Sequence, residues 1–220
     1  MNPAGSVFTD LAWIDLLFLA QGAIGTLKIS AISILAGTIV GIILGWMLAA
    51  GNIFVRLLVN TLLDVFRSVP LIIQLILFDS FVSIAGFPMP AFWSGTIVLS
   101  VYTAALVAMV ARAGIEAVDP NLRRAARSLG MSYWQDMRYV VWPVGLRAVF
   151  PSWIGVSLSV LKDSSLVYAI GYIELLRASQ ILTTKTQESF KIMLLVGLFY
   201  FLMSYPISKA GEYVEKKWQQ

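Results

Sequence analysis

From Ile29 to Ala50 the chain carries no charged residue. A bilayer core about 30 Å thick needs roughly 20 apolar residues in one helix, so this run already reads as a membrane span. Four further apolar runs follow, at Leu57 to Ala85, Ala91 to Ala111, Val149 to Ile170 and Ile192 to Ala210. Charged residues make up only 13% of the sequence, where a soluble domain carries about 25%. Mean hydropathy is +0.82. A surface so poor in charge faces lipid. The expected fold is therefore an all-α integral membrane protein with five transmembrane helices. In the first run Gly37, Gly41 and Gly45 recur every four residues, a small-residue stripe that lets two helices approach closely.

The chain has no His and no Cys. That removes the commonest general base, most zinc sites, thiol nucleophiles and disulfides, and with them Ser/His intramembrane proteolysis. No cleavable signal peptide is expected, because the first basic residue, Lys28, comes only after Asp10 and Asp15. Val7 to Gln21 is apolar but carries both acids; it reads as an amphipathic helix lying at the interface, within an external segment 1–28. The membrane domain then spans 29–217 with a long loop at 112–147, and 218–220 is a tail. Trp13, Trp46, Trp93, Trp142 and Trp218 fall near span ends, as an interfacial belt would.

Positive charge is sorted by loop. With five spans, Arg56, six arginines between Arg112 and Arg147, and Lys209, Lys216 and Lys217 all lie on one side. The opposite side holds Arg177 and Lys185, with Lys28 and Lys191 at the borders. By the positive-inside rule the basic loop and the tail are cytoplasmic and the N-terminus is outside. The net charge of +4 is thus a topology signal, and nucleic acid is not expected as a partner.

The loop itself has helix grammar. Asp119-Pro120 reads as an N-cap followed by proline at the first helical position. Leu122, Ala125, Ala126 and Leu129 share one apolar face, with Arg123, Arg124 and Arg127 off it. Gly130 is placed to end the helix in the left-handed conformation. Ser132 and Gln135 stand at capping-box spacing and start a second helix, which should run to about Trp142, where Pro143 intervenes. Such a helix either rests on its own membrane domain or docks into a groove of a cytoplasmic partner.

Arg124-Ala125-Ala126-Arg127-Ser128-Leu129-Gly130, followed by Val140-Val141-Trp142-Pro143, resembles the EAA loop of ABC importer permeases, and most of all their polar amino-acid subfamily. Phe66-Arg67-Ser68-Val69-Pro70-Leu71-Ile72-Ile73-Gln74-Leu75 is similar to that subfamily's F-R-x-x-P-L-x-x-Q-L. Arg112-Ala113-Gly114-Ile115, Lys162-Asp163-Ser164-Ser165-Leu166, and Ile170 with Glu174-Leu175 resemble its R-G-G-I, K-D-T-S-L and I-x-x-x-E-L. There are departures. Arg124 replaces the EAA glutamate, Asn121-Leu122 replaces a G-Q pair, and Met109 stands where an acid is usual.

The resemblance implies a type I ABC importer fold in a bacterial or archaeal inner membrane. Two permease subunits, identical or different, form the pathway, and Arg124 leans towards a heteromeric pair. An ABC ATPase dimer sits beneath, and an extracytoplasmic binding protein delivers a polar amino acid, with a lean to glutamate or aspartate. The 120–130 helix is the coupling element: Leu122, Arg123, Arg124, Ala125, Ala126, Arg127, Leu129, Gly130 and Pro143 form the candidate set. The chain lacks a phosphate-binding loop. No cofactor or metal is expected on it, and ATP and Mg belong to the partner ATPase. The competing reading is an ATP-independent channel or ion-coupled carrier, which more often shows an internal repeat of broken spans.

Arg67, Gln74, Asp79, Lys162, Asp163, Ser164 and Ser165 are the candidate pathway or intramembrane polar network. Ionisable groups inside spans face a cavity or a partner. Lys162 and Asp163 diverge by about 100° on a helix, so each needs its own partner. Either Lys162 and the nearby hydroxyls line the route, or a structural lock forms with Asp64, Arg67 or another subunit; the lock is the favoured reading. Arg67 could also satisfy the carbonyl that Pro70 frees. Gln74 and Asp79 are less shared by motif and bear more on substrate, unless Asp79 lies near the outer interface. Glu174 to Gln187 is an outer segment, either touching the binding protein or simply connecting spans.

Overall fold

The computed structural model describes residues 12–219. Its helices are α1 (Trp13–Ala50), α2 (Ile53–Ser68), α3 (Leu71–Ile84), α4 (Ala91–Glu116), α5 (Pro120–Ser128), α6 (Tyr133–Asp136), α7 (Trp142–Asp163), α8 (Leu175–Thr186) and α9 (Ser189–Gln219). Four stretches are long and apolar enough to cross a membrane: α1, α4, Tyr133–Ile170 and Ser189–Trp218. α2 and α3 together make the fifth, bent by 100° at their junction.

α4 is the hub, packed against α1, α2, α3 and α7. The glycine stripe explains its tightest contact. A Cβ on Gly37 would lie 2.5 Å from the Thr103 Cβ, one on Gly41 2.7 Å from the Val107 Cβ, and one on Gly45 2.6 Å from the Ala108 carbonyl. Only glycine lets α1 lie this close to α4. Inside a bilayer there is no water to drive apolar helices together, so such backbone proximity supplies the packing.

The first span differs from expectation. Residues 13–28 are not a separate interfacial helix: α1 runs unbroken for 38 residues, roughly 57 Å at 1.5 Å per residue. No proline interrupts it, and its early glycines serve packing. A Cβ on Gly22 would sit 3.0 Å from Ala178 of α8. Leu19 and Ala23 form a buried cluster with Leu175, Ala178, Leu182 and Ile192. The Lys185 Nζ donates to the Asp15 Oδ1 at 2.8 Å, tying the start of α1 to α8. The Val7 to Leu11 part of the expected interfacial helix, Asp10 included, lies outside the described residues, as does Gln220. Trp218 and Gln219 belong to the last turn of α9 rather than to a tail.

The second loop helix also differs. Pro143 does not end it. α6 passes through a π-helical turn, Met137–Val141, directly into α7. Proline is tolerated in the first turn of a helix because its missing N–H is not needed there, and the wide turn before it relieves the clash that its ring would make. After Asp163 the rod tightens into a 3₁₀ stretch, Ser164–Ile170, and Gly171 at φ +89° ends it.

Candidate functional site

Both ends of α5 are built as its sequence indicates. The Asn121 N–H donates to the Asp119 carboxylate at 2.8 Å. At the other end Gly130 has φ +85°, and the N–H groups of Gly130 and Met131 return to the carbonyls of Arg127 and Ala126 at 2.9 and 3.2 Å. The Ser132–Gln135 capping box is present: the Ser132 N–H donates to Gln135 Oε1 at 2.8 Å and the Gln135 N–H to Ser132 Oγ at 3.4 Å.

The packing face is not the expected one. Of Leu122, Ala125, Ala126 and Leu129 only Ala126 is buried; Leu122 is 47% and Leu129 82% exposed, and Ala125 is exposed as well. The inward residue is Arg123. Its Nε and Nη2 donate to the Asp136 Oδ2 at 3.0 and 2.8 Å, and Asp136 is fully buried. A buried carboxylate needs a paired cation, so charge rather than the apolar stripe sets the rotation of α5. Arg127 lies over the Tyr133 ring, 5.8 Å from its centroid. The Tyr133 hydroxyl accepts from Trp46 Nε1 at 2.9 Å, which ties the loop to the end of α1. Arg124 is exposed, with a 3.4 Å contact to its own turn at Asn121 Oδ1. The outer face of α5 thus carries two leucines, an alanine and an arginine with nothing over them among the described residues. Pro143 stands apart from this surface, at the head of α7.

Asp136 was missed in the sequence. The available signal was its isolation: it is the sole acid between Asp119 and Asp163 in a stretch dense with arginine.

The polar residues inside the spans divide into three groups. At the α2–α3 bend Gln74 does what was expected of Arg67: its Nε2 donates to the carbonyls of Phe66 and Val69, both at 2.7 Å. These are the groups that lose helical partners at Pro70. Arg67 instead pairs with Asp64 one turn back, and Asp64 also accepts from Asn60 Nδ2 at 2.9 Å. The side chains of Lys162, Asp163 and Asp79 make no hydrogen bond or ion pair with the described residues, so no lock from Lys162 or Asp163 to Asp64 or Arg67 forms within the described chain. Ser164 is buried and donates to the Leu161 carbonyl at 2.8 Å, which makes its hydroxyl structural; Ser165 is half-buried beside it. Among the described residues no cluster of His, Cys, Asp or Glu is placed to hold a metal ion.

The segment 174–187 is more than a connector. Glu174 is fully buried and caps α8, accepting from the N–H groups of Leu176 and Arg177 at 2.7 Å each. Burial pushes its carboxyl up to about 7. The Thr26 hydroxyl of α1 receives the Leu175 N–H at 3.2 Å, so this cap, too, is keyed to the first span.

The family of inner membrane components of binding-protein-dependent transport systems matches residues 37–220. A glutamine transport system permease of Rickettsia felis is 31% identical over 203 residues, covering 92% of this chain and 93% of that one. A Bacillus subtilis glutamine ABC transporter permease is 31% identical over 205 residues, 91% and 93% of the two chains. An arginine transport system permease of the same bacterium is 29% identical over 202 residues, 91% and 92%. Among solved structures, an amino acid ABC transporter with histidines superposes with a TM-score of 0.85 at 30% identity, covering 95% of this chain and all of that one. A methionine ABC transporter in an inward-facing conformation shares the fold at a TM-score of 0.81 and 20% identity. The bent second span, the α5 loop and the 37–220 match together place the chain in the family of binding-protein-dependent transport system inner membrane components, as a polar amino-acid ABC permease of type I importer fold.

Proposed function

We propose that this permease couples to its ATPase through the outer face of α5, and that the side carrying α5 and the end of α9 is cytoplasmic. The chain itself is the non-catalytic, multi-pass inner membrane subunit of an ATP-driven importer, a family that implies a separate ATPase and a binding protein as partners. Family membership sets aside the ATP-independent channel or carrier. The observation that carries the coupling proposal is that Leu122, Ala125 and Leu129 project from α5 while Arg123 and Asp136 grip it from behind. Hydrophobic anchors on a short helix gripped from behind suit insertion into a groove. ATP and Mg would bind on the partner, whose closure would move α5 and switch the pathway between inward and outward access.

A second permease subunit completes the pathway in this reading. Exposed Arg124 stands where the EAA signature has its glutamate and reverses that charge, which favours a sister subunit that keeps the glutamate. The side chains of Lys162, Asp163 and Asp79, with no hydrogen bond or ion pair to the described residues, face the route or that subunit in this reading. Phe66–Pro70, Arg112–Ile115 and Ser165–Tyr168 are scaffold segments that resemble those of glutamate/aspartate permeases, which leans towards an acidic solute, whereas the relatives bear glutamine and arginine names. A panel of these amino acids decides between acid, amide and cation. The test is ATP-driven uptake by the complex of this chain with its ATPase, sister subunit and binding protein. Ala125→Asp should abolish uptake while the chain remains membrane-inserted. Uptake at the normal rate would overturn the docking assignment.

A further inference from the structure

A cavity of about 750 Å³ opens between α1, α4, α7 and the last turn of α9, within the range of roughly 300–1,000 Å³ typical of ligand pockets. Its walls are almost wholly apolar. The polar groups in its depth are already used: the Trp153 Nε1 donates to the Thr38 Oγ1 at 3.0 Å. None of the span residues Asp64, Arg67, Asp79, Lys162 or Asp163 lines it, so it is separate from those polar groups and offers nothing to a polar amino acid.

One cation lines it. Arg138, at the head of the Tyr133–Ile170 rod, has its guanidinium over the Tyr139 ring at 5.7 Å, and that guanidinium makes no ion pair or hydrogen bond with the described residues. Trp134, Trp142 and Trp218, also in the lining, stand at the same helix ends, on the side assigned above to the cytoplasm. Tryptophan at this depth marks the headgroup level. An apolar cleft with an arginine that has no ion pair among the described residues at its headgroup end is complementary to an anionic amphiphile: acyl chain against the walls, phosphate on the guanidinium. The leaflet on the cytoplasmic side supplies such molecules.

We propose that this cleft is a binding site for an anionic phospholipid of the cytoplasmic leaflet, with Arg138 as its headgroup ligand. The occupant is a lipid and neither the sister permease nor the transported solute.

The test uses the assembled transporter in nanodiscs of dioleoyl phosphatidylcholine containing dioleoyl phosphatidylglycerol, with retained lipid counted by native mass spectrometry after mild delipidation. The wild-type complex should keep phosphatidylglycerol over phosphatidylcholine. Arg138→Gln should reduce that preference about fivefold, the worth of one basic residue towards an anionic lipid. Leu146→Trp, which fills the cleft from α7, should lower retention of both lipids. A control keeps the outcome decisive if Leu146→Trp assembles poorly. Because the chain has no Cys, Leu146→Cys gives a single thiol that bound lipid should shield from a water-soluble maleimide. Unchanged lipid preference in Arg138→Gln overturns the proposal. So does a cross-link from Leu146→Cys to a sister subunit, which would make the cleft a protein interface.

Discussion

The grip of Asp136 on Arg123 gives the sharpest test of how α5 is held. Arg123→Met removes both charge-assisted hydrogen bonds and strands a carboxylate that is fully buried and whose Oδ1 already lacks a partner. Removing one member of a buried ion pair costs about 3–5 kcal/mol. The Arg123 side chain is 27% exposed, which argues for the lower end, about 3 kcal/mol. At 1.4 kcal/mol per factor of ten, this is roughly a 150-fold shift. It falls locally, because α5 has nine residues and an isolated helix under about 12–15 residues is marginal on its own. Hydrogen exchange on the assembled, reconstituted complex should show amides of 123–131 losing about two orders of magnitude of protection, with α4 and α7 unchanged. Arg123→Met with Asp136→Leu removes both charges and should recover most of that protection, since an apolar pair often replaces a buried ion pair without loss. Equal protection in wild type and Arg123→Met would refute the reasoning. So would a double variant no better than the single one, because the effect would then be lost packing and not an uncompensated charge.

Gln74→Leu leaves the Phe66 and Val69 carbonyls unpaired at the bend; at about 1–3 kcal/mol each, the detergent-solubilised transporter should melt several degrees lower, while Gln74→Asn, too short to reach, should behave the same way. Gly41→Leu forces a side chain into the 2.7 Å space before Val107; assembled protein recovered from membranes should fall sharply, whereas Gly155→Leu, with open space around it, should express normally. Glu174 gives a pH signature. Its carboxyl is raised from 4.5 to about 7 by burial, so the folded state holds the proton more tightly than the unfolded one. Its contribution is full below about 4.5 and is lost as pH rises through about 7. Glu174→Gln should flatten the pH dependence of thermal stability across that window, and an unchanged slope would assign it to another group.

Much of this fold was readable because membrane spans are written in long, charge-free runs, and the helix caps of the loop are local chemistry. Asp119, Pro120 and Gly130 specify the ends of α5 within a few residues of themselves. The parts that were not readable depend on distant partners. Arg123 and Arg127 look equivalent on a helical wheel, and only a carboxylate thirteen residues away distinguishes them. Pro143 reads as a stop because the sequence does not reveal that a wider turn precedes it. Arg67 and Gln74 were both plausible partners for the carbonyls at Pro70, and the 100° bend brings the amide within reach of both. The unbroken α1 follows from α8, a helix whose docking on Gly22 no local pattern announces.

The continuity of α6 with α7 makes the loop and the fourth span one lever. From Asp136 to Asp163 the chain takes 27 residue steps of nearly continuous helix, roughly 40 Å at 1.5 Å per residue. Its near end is fastened to α5 by a charged clamp; its far end bears Lys162 and Asp163. A push on α5 therefore needs no relay of rearranging side chains to reach these two residues. It turns a rod. The rod yields at two places, the π turn at Met137–Val141 and Pro151 within α7. How much of a displacement at one end arrives at the other is set by the stiffness of those two joints.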